Sequence, residues 1–431
     1  MKRFNLIVLM AVAMTVFTAC PQVDPDKPAN PISPDGQKEI LEDVAKDFMD
    51  QYSAAQFEKL AKLASRFSEV YIDNAYYNWD AFEEYCESKK DDVLIYEEDI
   101  RYEGSRTYYD TYTTSLLHLS LLNCKLVLGQ NSVSCQDYNG SQVEFSLDGK
   151  DYVVKLVTSG KTMTVVQDWE EENGYGNTVY NDSYHFEVQI PEGLAVTITE
   201  NGKSFAEINI SCEGSFSNNG LNFSKDCLIV STSVVVDGHE VVLERTGYNA
   251  TTGQTSLTFK LRKNGQELFK AEASADAKLN VVTEEDSYGG SYTYAEVESA
   301  KNVNFYVNVL DRVQIQGACS NITTLTDLID SFYDASNDAA AERVVKNINN
   351  IIDFAVYYDG KPGKQAVLAM DYYIEEGYGT VYYELEPVLE FADGSKYAVY
   401  EYFTESSFKG LSNSAEDWLE DYEDLLIKYF D

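Results

Sequence analysis

The chain has 431 residues, of which 72 are Asp or Glu and 33 are Lys or Arg, and its formal net charge is −39. A chain this acidic repels phosphate groups, which excludes binding to nucleic acid or to anionic lipid through a basic surface. Hydrophobic residues make up 44% of the sequence, which is enough apolar surface for a folded core and excludes intrinsic disorder.

The first 20 residues have the layout of an export signal. Two cations at positions 2 and 3 precede an apolar run that ends at Phe17 and is too short for a transmembrane helix. The ending FTAC at Cys20 resembles a bacterial lipobox, in which the cysteine becomes the lipidated N-terminus, although Phe17 stands where Leu or Val is commoner. The alternative is an ordinary secretory signal in which Cys20 is incidental. We predict a signal peptide over residues 1–19 and lipidation of Cys20.

A proline-rich segment follows, over residues 20–35. It holds five of the eight prolines in the chain: Pro21, Pro25, Pro28, Pro31 and Pro34. Proline at this density favours an extended chain without a core, so the segment is predicted to be a tether between a lipid anchor and the folded body.

Helices are predicted at both ends of the body. Residues 36–110 are predicted to be a helical N-terminal region, because apolar residues recur at three- and four-residue steps from Ile40 to Phe67. Residues 321–431 are predicted to contain a helix, a four-strand meander and a C-terminal helix. Thr324 and Ser414 each precede an Asp by three residues, as in a capping box, and mark the two helix starts.

Residues 111–320 are predicted to form an antiparallel β meander. Apolar and polar residues alternate from Tyr184 to Ile190, and again from Val381 to Phe391 in the C-terminal region. Six Asx-Gly pairs, the strongest short hairpin signal, separate such runs: Asp148-Gly149, Asn201-Gly202, Asp237-Gly238, Asn264-Gly265, Asp359-Gly360 and Asp393-Gly394. We therefore expect an α+β fold, with an extensive antiparallel sheet of long hairpins and amphipathic helices packed on one face.

Two loops of similar sequence suggest that the sheet has two related halves. EENGYGNTVY at residues 171–180 matches EEGYGTVY at residues 375–382, and each lies between two predicted strands. The simpler interpretation is a shared loop type, and the alternative is a repeated ligand site. A long one-sided sheet of this kind is expected to be curved or open-barrel-like and able to enclose an apolar cleft.

The whole pattern resembles a family of uncharacterised envelope lipoproteins of Bacteroidales bacteria. The resemblance rests on the lipobox, the proline-rich tether, the DWEE loop at residues 168–171, the FYVNVLDRVQIQG segment at residues 305–317 and the EPVLEFADGSKYAVYEYF segment at residues 386–403. It implies a lipid-anchored protein of the bacterial cell envelope, on the outer membrane, facing the periplasm or the cell surface. It supplies no functional residues.

Six cysteines besides Cys20 permit up to three disulfides in an exported protein. A two-residue turn at Asn219-Gly220 places Cys212 opposite Cys227, and one at Gly129-Gln130 places Cys124 opposite Cys135. Both pairs would then occupy hydrogen-bonded positions, which suit a disulfide less well than the closer non-hydrogen-bonded ones. Buried free thiols are the alternative.

No catalytic or metal-binding motif is present. The three histidines, His118, His185 and His239, lack metal spacing, and there is no HExxH, CxxC, GxSxG, P-loop or dinucleotide-binding pattern. We therefore predict no cofactor and no metal. The 72 acidic residues supply candidate pairs for a glycosidase everywhere without selecting one.

Tyrosine gives the best remaining indication of function. The 33 tyrosines cluster at Tyr76-Tyr77, Tyr108-Tyr109-Tyr112, Tyr292-Tyr294, Tyr357-Tyr358, Tyr372-Tyr373 and Tyr397-Tyr400-Tyr402. Tyrosine suits ordinary sheet packing, and it also suits surfaces that stack sugars or contact proteins. We expect a non-enzymatic, membrane-anchored lipoprotein that binds a hydrophobic ligand between sheet and helices, or a glycan or protein through exposed tyrosines. The alternatives are a carboxylate-dependent glycan hydrolase and a purely structural envelope component; the sequence leaves the oligomeric state open.

Overall fold

A computed structural model describes residues 28, 31–63, 65, 84–85, 88, 96–102, 106–110, 116–129, 132–175, 178–215, 227–285, 291–377, 380–404 and 407–430. The predicted signal peptide and Cys20 lie outside these residues, as does most of the predicted tether.

Six α-helices and a short 3-10 helix have both of their ends within the residues that the structure describes. They are α1 Pro34–Gln51, the 3-10 helix Ala54–Phe57, α2 Leu116–Leu121, α3 Ile322–Tyr333, α4 Asp338–Asn349, α5 Val399–Tyr402 and α6 Lys409–Phe430. Helix α1 begins at Pro34, within the last two residues of the predicted tether, since the Ser33 side chain accepts a hydrogen bond from the N–H of Gly36 and Pro34 occupies the first turn. Residues 58–63 continue as helix after the 3-10 helix.

The described part of the chain contains 18 strands, which all belong to one sheet. They are β1 Tyr96–Tyr102, β2 Arg106–Asp110, β3 Cys124–Leu128, β4 Val133–Asp137, β5 Ser141–Leu147, β6 Lys150–Tyr175, β7 Thr178–Glu200, β8 Lys203–Ser215, β9 Cys227–Val236, β10 His239–Asn249, β11 Gln254–Lys263, β12 Gln266–Glu285, β13 Ser291–Val309, β14 Val313–Asn321, β15 Ile352–Tyr358, β16 Lys361–Gly377, β17 Thr380–Phe391 and β18 Lys396–Ala398.

From β5 to β18 each strand pairs antiparallel with the next one in the chain. At one end β3 pairs in parallel with β5 and antiparallel with β4. Strands β4 and β18 end the row, and no register joins them within the described residues, so the sheet is open. The predicted α+β fold with an extensive antiparallel sheet is confirmed.

The sheet branches at β7, which is 23 residues long. Strand β6 pairs along its whole length, while the opposite edge is shared: β8 pairs with residues 193–200 and β1 with residues 182–188. Strand β2 then pairs with β1. The prediction of a helical region over residues 36–110 is therefore wrong for residues 96–102 and 106–110, which are strands because β1 pairs with the outer edge of β7 and β2 pairs with β1.

The Asx-Gly pairs lie at hairpin turns as expected. At four of them both residues have positive φ, as a type I′ turn requires: Asp148-Gly149, Asn201-Gly202, Asp237-Gly238 and Asn264-Gly265. At the other two, in the C-terminal region, only the glycine has positive φ. The tips of the long hairpins β6–β7 and β16–β17, which carry the repeated GYG sequence, include residues 176–177 and 378–379, outside the described part of the chain.

Residues 321–350 form two helices, whereas one was predicted. The side chain of Asn321 caps α3 by accepting from the N–H of Thr324, and Asn337 caps α4 by accepting from the N–H of Ala340. The second cap interrupts the apolar repeat and starts a new helix. The sheet continues past this insertion, since β14 and β15 pair on either side of it.

The core consists of separate clusters between helices and sheet. Helical residues 58–63 and α2 cover β3–β9 with Leu63 and Leu119. Val44 of α1 packs against Val313 and Tyr358, while α3 and α4 pack on the even-numbered residues of β16 at Met370 and Tyr372. Ala366, also even-numbered, packs with α5. One face of β16 is thus covered by helices, which leaves the odd-numbered face for other contacts.

Candidate functional site

The predicted register of Cys124 and Cys135 is wrong. Cys124 pairs with Asp137, and Cys135 pairs with Leu126. The pairing of Leu128 with Val133 shows a register two residues away from the predicted one, so the two cysteines are diagonal neighbours on one face. Diagonal positions are about 7–8 Å apart, beyond the span of an unstrained disulfide. Neither thiol is in a disulfide in this structure, and a hydrogen bond with the Cys124 thiol raises the pKa of Cys135.

The predicted register of Cys212 and Cys227 is also wrong. Cys212 pairs with Val230 and Cys227 pairs with Ser215, a shift of three residues. An odd shift places the two side chains on opposite faces of the sheet, because successive residues alternate. The expected Asn219-Gly220 turn lies outside the described residues. Both thiols are free in this structure, as is that of Cys319.

Of the three histidines, the structure describes the side chain of His239 alone. It is 6% exposed and both of its ring nitrogens lack a hydrogen-bond partner. The rings of Tyr52 and Phe57 contact it edge-on, at centroid distances of 5.5 and 5.4 Å. An imidazole held between two aromatic rings and out of water fills space and is poorly placed for catalysis.

The predicted hydrophobic cleft does not appear between α1 and the sheet, because the side chains of Leu41 and Val44 pack directly on β15 and β16 there. A surface groove over β8–β11 has a volume of about 250 Å³ and is lined by residues that include Asn209, Ser233 and Arg262. This volume is below the range of about 300–1,000 Å³ that is typical of ligand pockets.

Tyrosines and carboxylates alternate on the helix-free face of β16 and β17. Tyr373 lies opposite Glu384, Glu375 opposite Tyr382, and Asp371 opposite Glu386. Residues paired across antiparallel strands share a face, so these six side chains form one surface. Tyr400 of α5 extends it by hydrogen bonding to Glu386. We call these seven residues the acidic tyrosine face.

The three tyrosines are far more exposed than sheet packing requires. Tyr373 is 48% exposed, Tyr382 49% and Tyr400 66%. Partial burial, followed by the charges of Glu384 and Glu375, raises the pKa of Tyr373, and partial burial with Glu386 raises that of Tyr400. Both phenols therefore remain neutral hydrogen-bond donors beside carboxylates, with aromatic rings open to a partner.

One cation balances part of this charge. Lys396 of β18 lies 2.7 Å from Asp371 and 3.0 Å from Glu390. Burial acts to raise the pKa of Asp371, but hydrogen bonds from Lys396 and from the N–H of Tyr372 hold it below its usual value. Glu375, Glu384 and Glu386 remain, so the face carries a negative charge at neutral pH.

The sequence clusters of tyrosine indicated this region without resolving the face. Tyr372 and Tyr402 belong to the same clusters but point elsewhere: Tyr372 packs beneath α3 and α4, and Tyr402 is buried with its hydroxyl donating to the carbonyl of Pro34. Tyr358 is also buried. The remaining clusters, Tyr76-Tyr77, Tyr108-Tyr109-Tyr112 and Tyr292-Tyr294, lie outside the residues whose side chains are described.

In the described part of the chain, no group of three or more His, Cys, Asp or Glu side chains is arranged to hold a metal ion. None of the described helices is both long and apolar enough to cross a membrane. No family model matches the chain, and no curated protein or solved structure is significantly similar to it.

Proposed function

We propose that this protein is a lipid-anchored envelope lipoprotein, without catalytic activity, that recognises a partner through the acidic tyrosine face. The observation that carries the proposal is the exposure of Tyr373 and Tyr382 on one face of β16 and β17, with the exposed Tyr400 of α5 hydrogen-bonded to Glu386 beside them. Tyrosine is enriched in recognition surfaces because it contributes a large rigid ring and a polar tip. The N-terminal sequence up to Cys20 supports the anchor.

The alternatives receive less support. A carrier of hydrophobic ligands needs an apolar cavity, whereas α1 packs directly on the sheet. A glycoside hydrolase needs one carboxyl with a raised pKa to act as general acid. Among the residues that the structure describes, the carboxyl groups with a shifted pKa are Glu58, Glu200, Glu244 and Asp371, and each of these pKa values is lowered.

A binding screen with matched tyrosine variants tests the proposal. Wild-type protein is passed through affinity gels that contain polysaccharides and over arrays of envelope proteins and peptides. The double substitution Tyr373→Ala and Tyr400→Ala should abolish any retention. Tyr138→Ala is the control, since Tyr138 is 42% exposed but follows β4 at the opposite end of the sheet. Retention that the double variant keeps in full, or that Tyr138→Ala loses instead, would contradict the proposal.

The anchor is tested separately in cells. Cys20→Ser should release the protein from the membrane fraction and abolish its labelling by a fatty-acid probe. Continued labelling of that variant would show that Cys20 is not the lipidated residue.

A further inference from the structure

The outer edge of β17 is open beside the acidic tyrosine face. Strand β16 pairs with β17 from Thr380 to Phe391, but β18 pairs only with residues 388–390 on the other side. No described strand pairs with residues 381–387 on that side. Among the described residues, the backbone groups of this edge therefore have no strand partner, and an edge of this kind is a template for strand addition.

The direction of these backbone groups follows from the hydrogen bonds at the end of the strand. Phe391 donates its N–H outward to the carbonyl of Ser395, whereas Ala392 donates inward to the carbonyl of Gln365 on β16. Because the direction alternates along an antiparallel strand, the odd-numbered residues point outward. Val381, Tyr383 and Leu385 thus offer their N–H and C=O groups at the edge, and Pro387, which lacks an N–H, ends this stretch.

The negative charge beside the edge of β17 determines which kind of strand can bind there. Tyr382, Glu384 and Glu386 alternate with the outward-pointing backbone groups and lie on the exposed face. A second copy of this chain added to the edge would bring its own Glu384 and Glu386 against these carboxylates, and like charges on paired strands are destabilising. A strand that carries Lys or Arg on the matching face would instead form ion pairs and cation–π contacts with the tyrosines.

We infer that β17 binds an extended, basic segment of a partner protein by strand addition. The inference rests on the proposed function and narrows its partner to one chemical class. The backbone of the segment pairs with Val381, Tyr383 and Leu385, and its cationic side chains lie over Tyr382, Glu384 and Glu386.

The test uses a short synthetic peptide in which lysine and valine alternate, titrated against the folded protein by fluorescence anisotropy. Three matched control peptides isolate the contributions of charge, residue order and backbone hydrogen bonds. The first has glutamate in place of lysine, the second has the same residues scrambled, and the third has alternate amides N-methylated. We expect saturable binding of the first peptide that weakens with salt, and weaker binding of all three controls. Hydrogen exchange at Val381, Tyr383 and Leu385 should slow on binding.

Two protein variants separate charge from backbone pairing. Glu384→Gln with Glu386→Gln should weaken binding by roughly two- to thirtyfold, the effect of losing two exposed ion pairs. Glu416→Gln with Glu420→Gln, which removes the same charge from exposed positions on α6, should leave binding unchanged. Val381→Pro removes an outward N–H while leaving the pairing with β16 intact, and it should also weaken binding.

The outcomes distinguish this inference from the proposed function. Absence of peptide binding, or exchange protection elsewhere than on β17, overturns strand addition. If a polysaccharide binds and Tyr373→Ala with Tyr400→Ala abolishes that binding, the face is a recognition site for glycans and only the inference fails. Failure of the double tyrosine variant to affect any binding overturns both.

Discussion

Glu200, the last residue of β7, contacts three polar side chains. It forms ion pairs with Lys59 and Lys150 and accepts a hydrogen bond of 2.8 Å from the hydroxyl of Tyr152. The hydrogen bond from Lys59, then that from Tyr152, lowers the pKa of Glu200 to about 2, from an ordinary value of 4.5. Lys59 lies in the helical segment 58–63, so these contacts tie that segment to the β7–β8 turn.

A carboxyl with a lowered folded-state pKa stabilises the fold above its unfolded-state pKa, and the contribution fades as pH falls toward the folded value. We therefore expect Glu200→Gln to destabilise the protein by a constant amount from neutral pH down to about 4.5, and by a shrinking amount between 4.5 and about 2. Urea unfolding of both proteins across this range measures the difference. Glu416→Gln controls for the loss of one negative charge. A difference that does not change with pH would show that Glu200 acts through packing.

Gly317 of β14 lies beneath two phenylalanine rings. A Cβ added here would be 2.6 Å from a ring carbon of Phe305 and 2.8 Å from one of Phe354. Because these rings are packed in the core, Gly317→Ala should lower the free energy of unfolding by about 1–3 kcal/mol. Gly410→Ala is the control: its added Cβ meets nothing closer than 3.5 Å, and alanine favours helix α6. Equal stabilities of the two variants would contradict the packing argument.

At the scale of elements, the junction of α1 with the 3-10 helix is held by aromatic contacts. The carbonyl of Tyr52 accepts hydrogen bonds from the indole N–H of Trp418, at 2.8 Å, and the hydroxyl of Tyr422, at 3.0 Å. The rings of Tyr52 and Phe57 in turn enclose His239 at the start of β10. The end of helix α1, helix α6 and the first residue of β10 thus pack together in one cluster.

His239 contributes a ring to this cluster and leaves two buried nitrogens unpartnered. An orphaned buried polar group costs about 1–3 kcal/mol, so His239→Phe should leave stability unchanged or raise it. His239→Ala should lower stability, since it opens a cavity among the rings. The thermal unfolding midpoints of the wild type and the two His239 variants test this expectation. A loss of stability in His239→Phe comparable with that in His239→Ala would mean that the imidazole has a polar partner in the folded protein.

These elements show which features a sequence can predict. The Asp148-Gly149 and Asn201-Gly202 turns were predicted correctly because positive φ at both positions is a local demand of the backbone. The pairing of Cys124 with Cys135 was not, because moving a turn by one position changes every register after it. The acidic tyrosine face was predicted only in part: tyrosine clusters are visible in the sequence and neighbours on a strand alternate in face, but which of Tyr372 and Tyr373 is exposed depends on the face that the helices cover.

The branching of the sheet is a property of the whole molecule. Strand β8 pairs with only part of the outer edge of β7. Strand β1, which lies 80 or more residues earlier in the chain, pairs with the part that β8 leaves free. No local pattern in residues 96–110 announces this pairing. Pairing between segments this far apart in the chain cannot be predicted from the periodicity of apolar residues.

The charge of the whole chain is a further global property, and it has a measurable consequence. Ion pairs such as Lys278 with Glu298 are exposed, so each contributes little. The formal net charge of −39 leaves carboxylates that repel one another and oppose the folded state. We expect the thermal midpoint to rise when NaCl increases from about 10 mM to about 150 mM, where the Debye length falls from about 30 Å to about 8 Å. Differential scanning fluorimetry measures the thermal midpoint, and sucrose at equal osmolarity is the control. A midpoint that falls with added salt would show that local ion pairs outweigh the net repulsion.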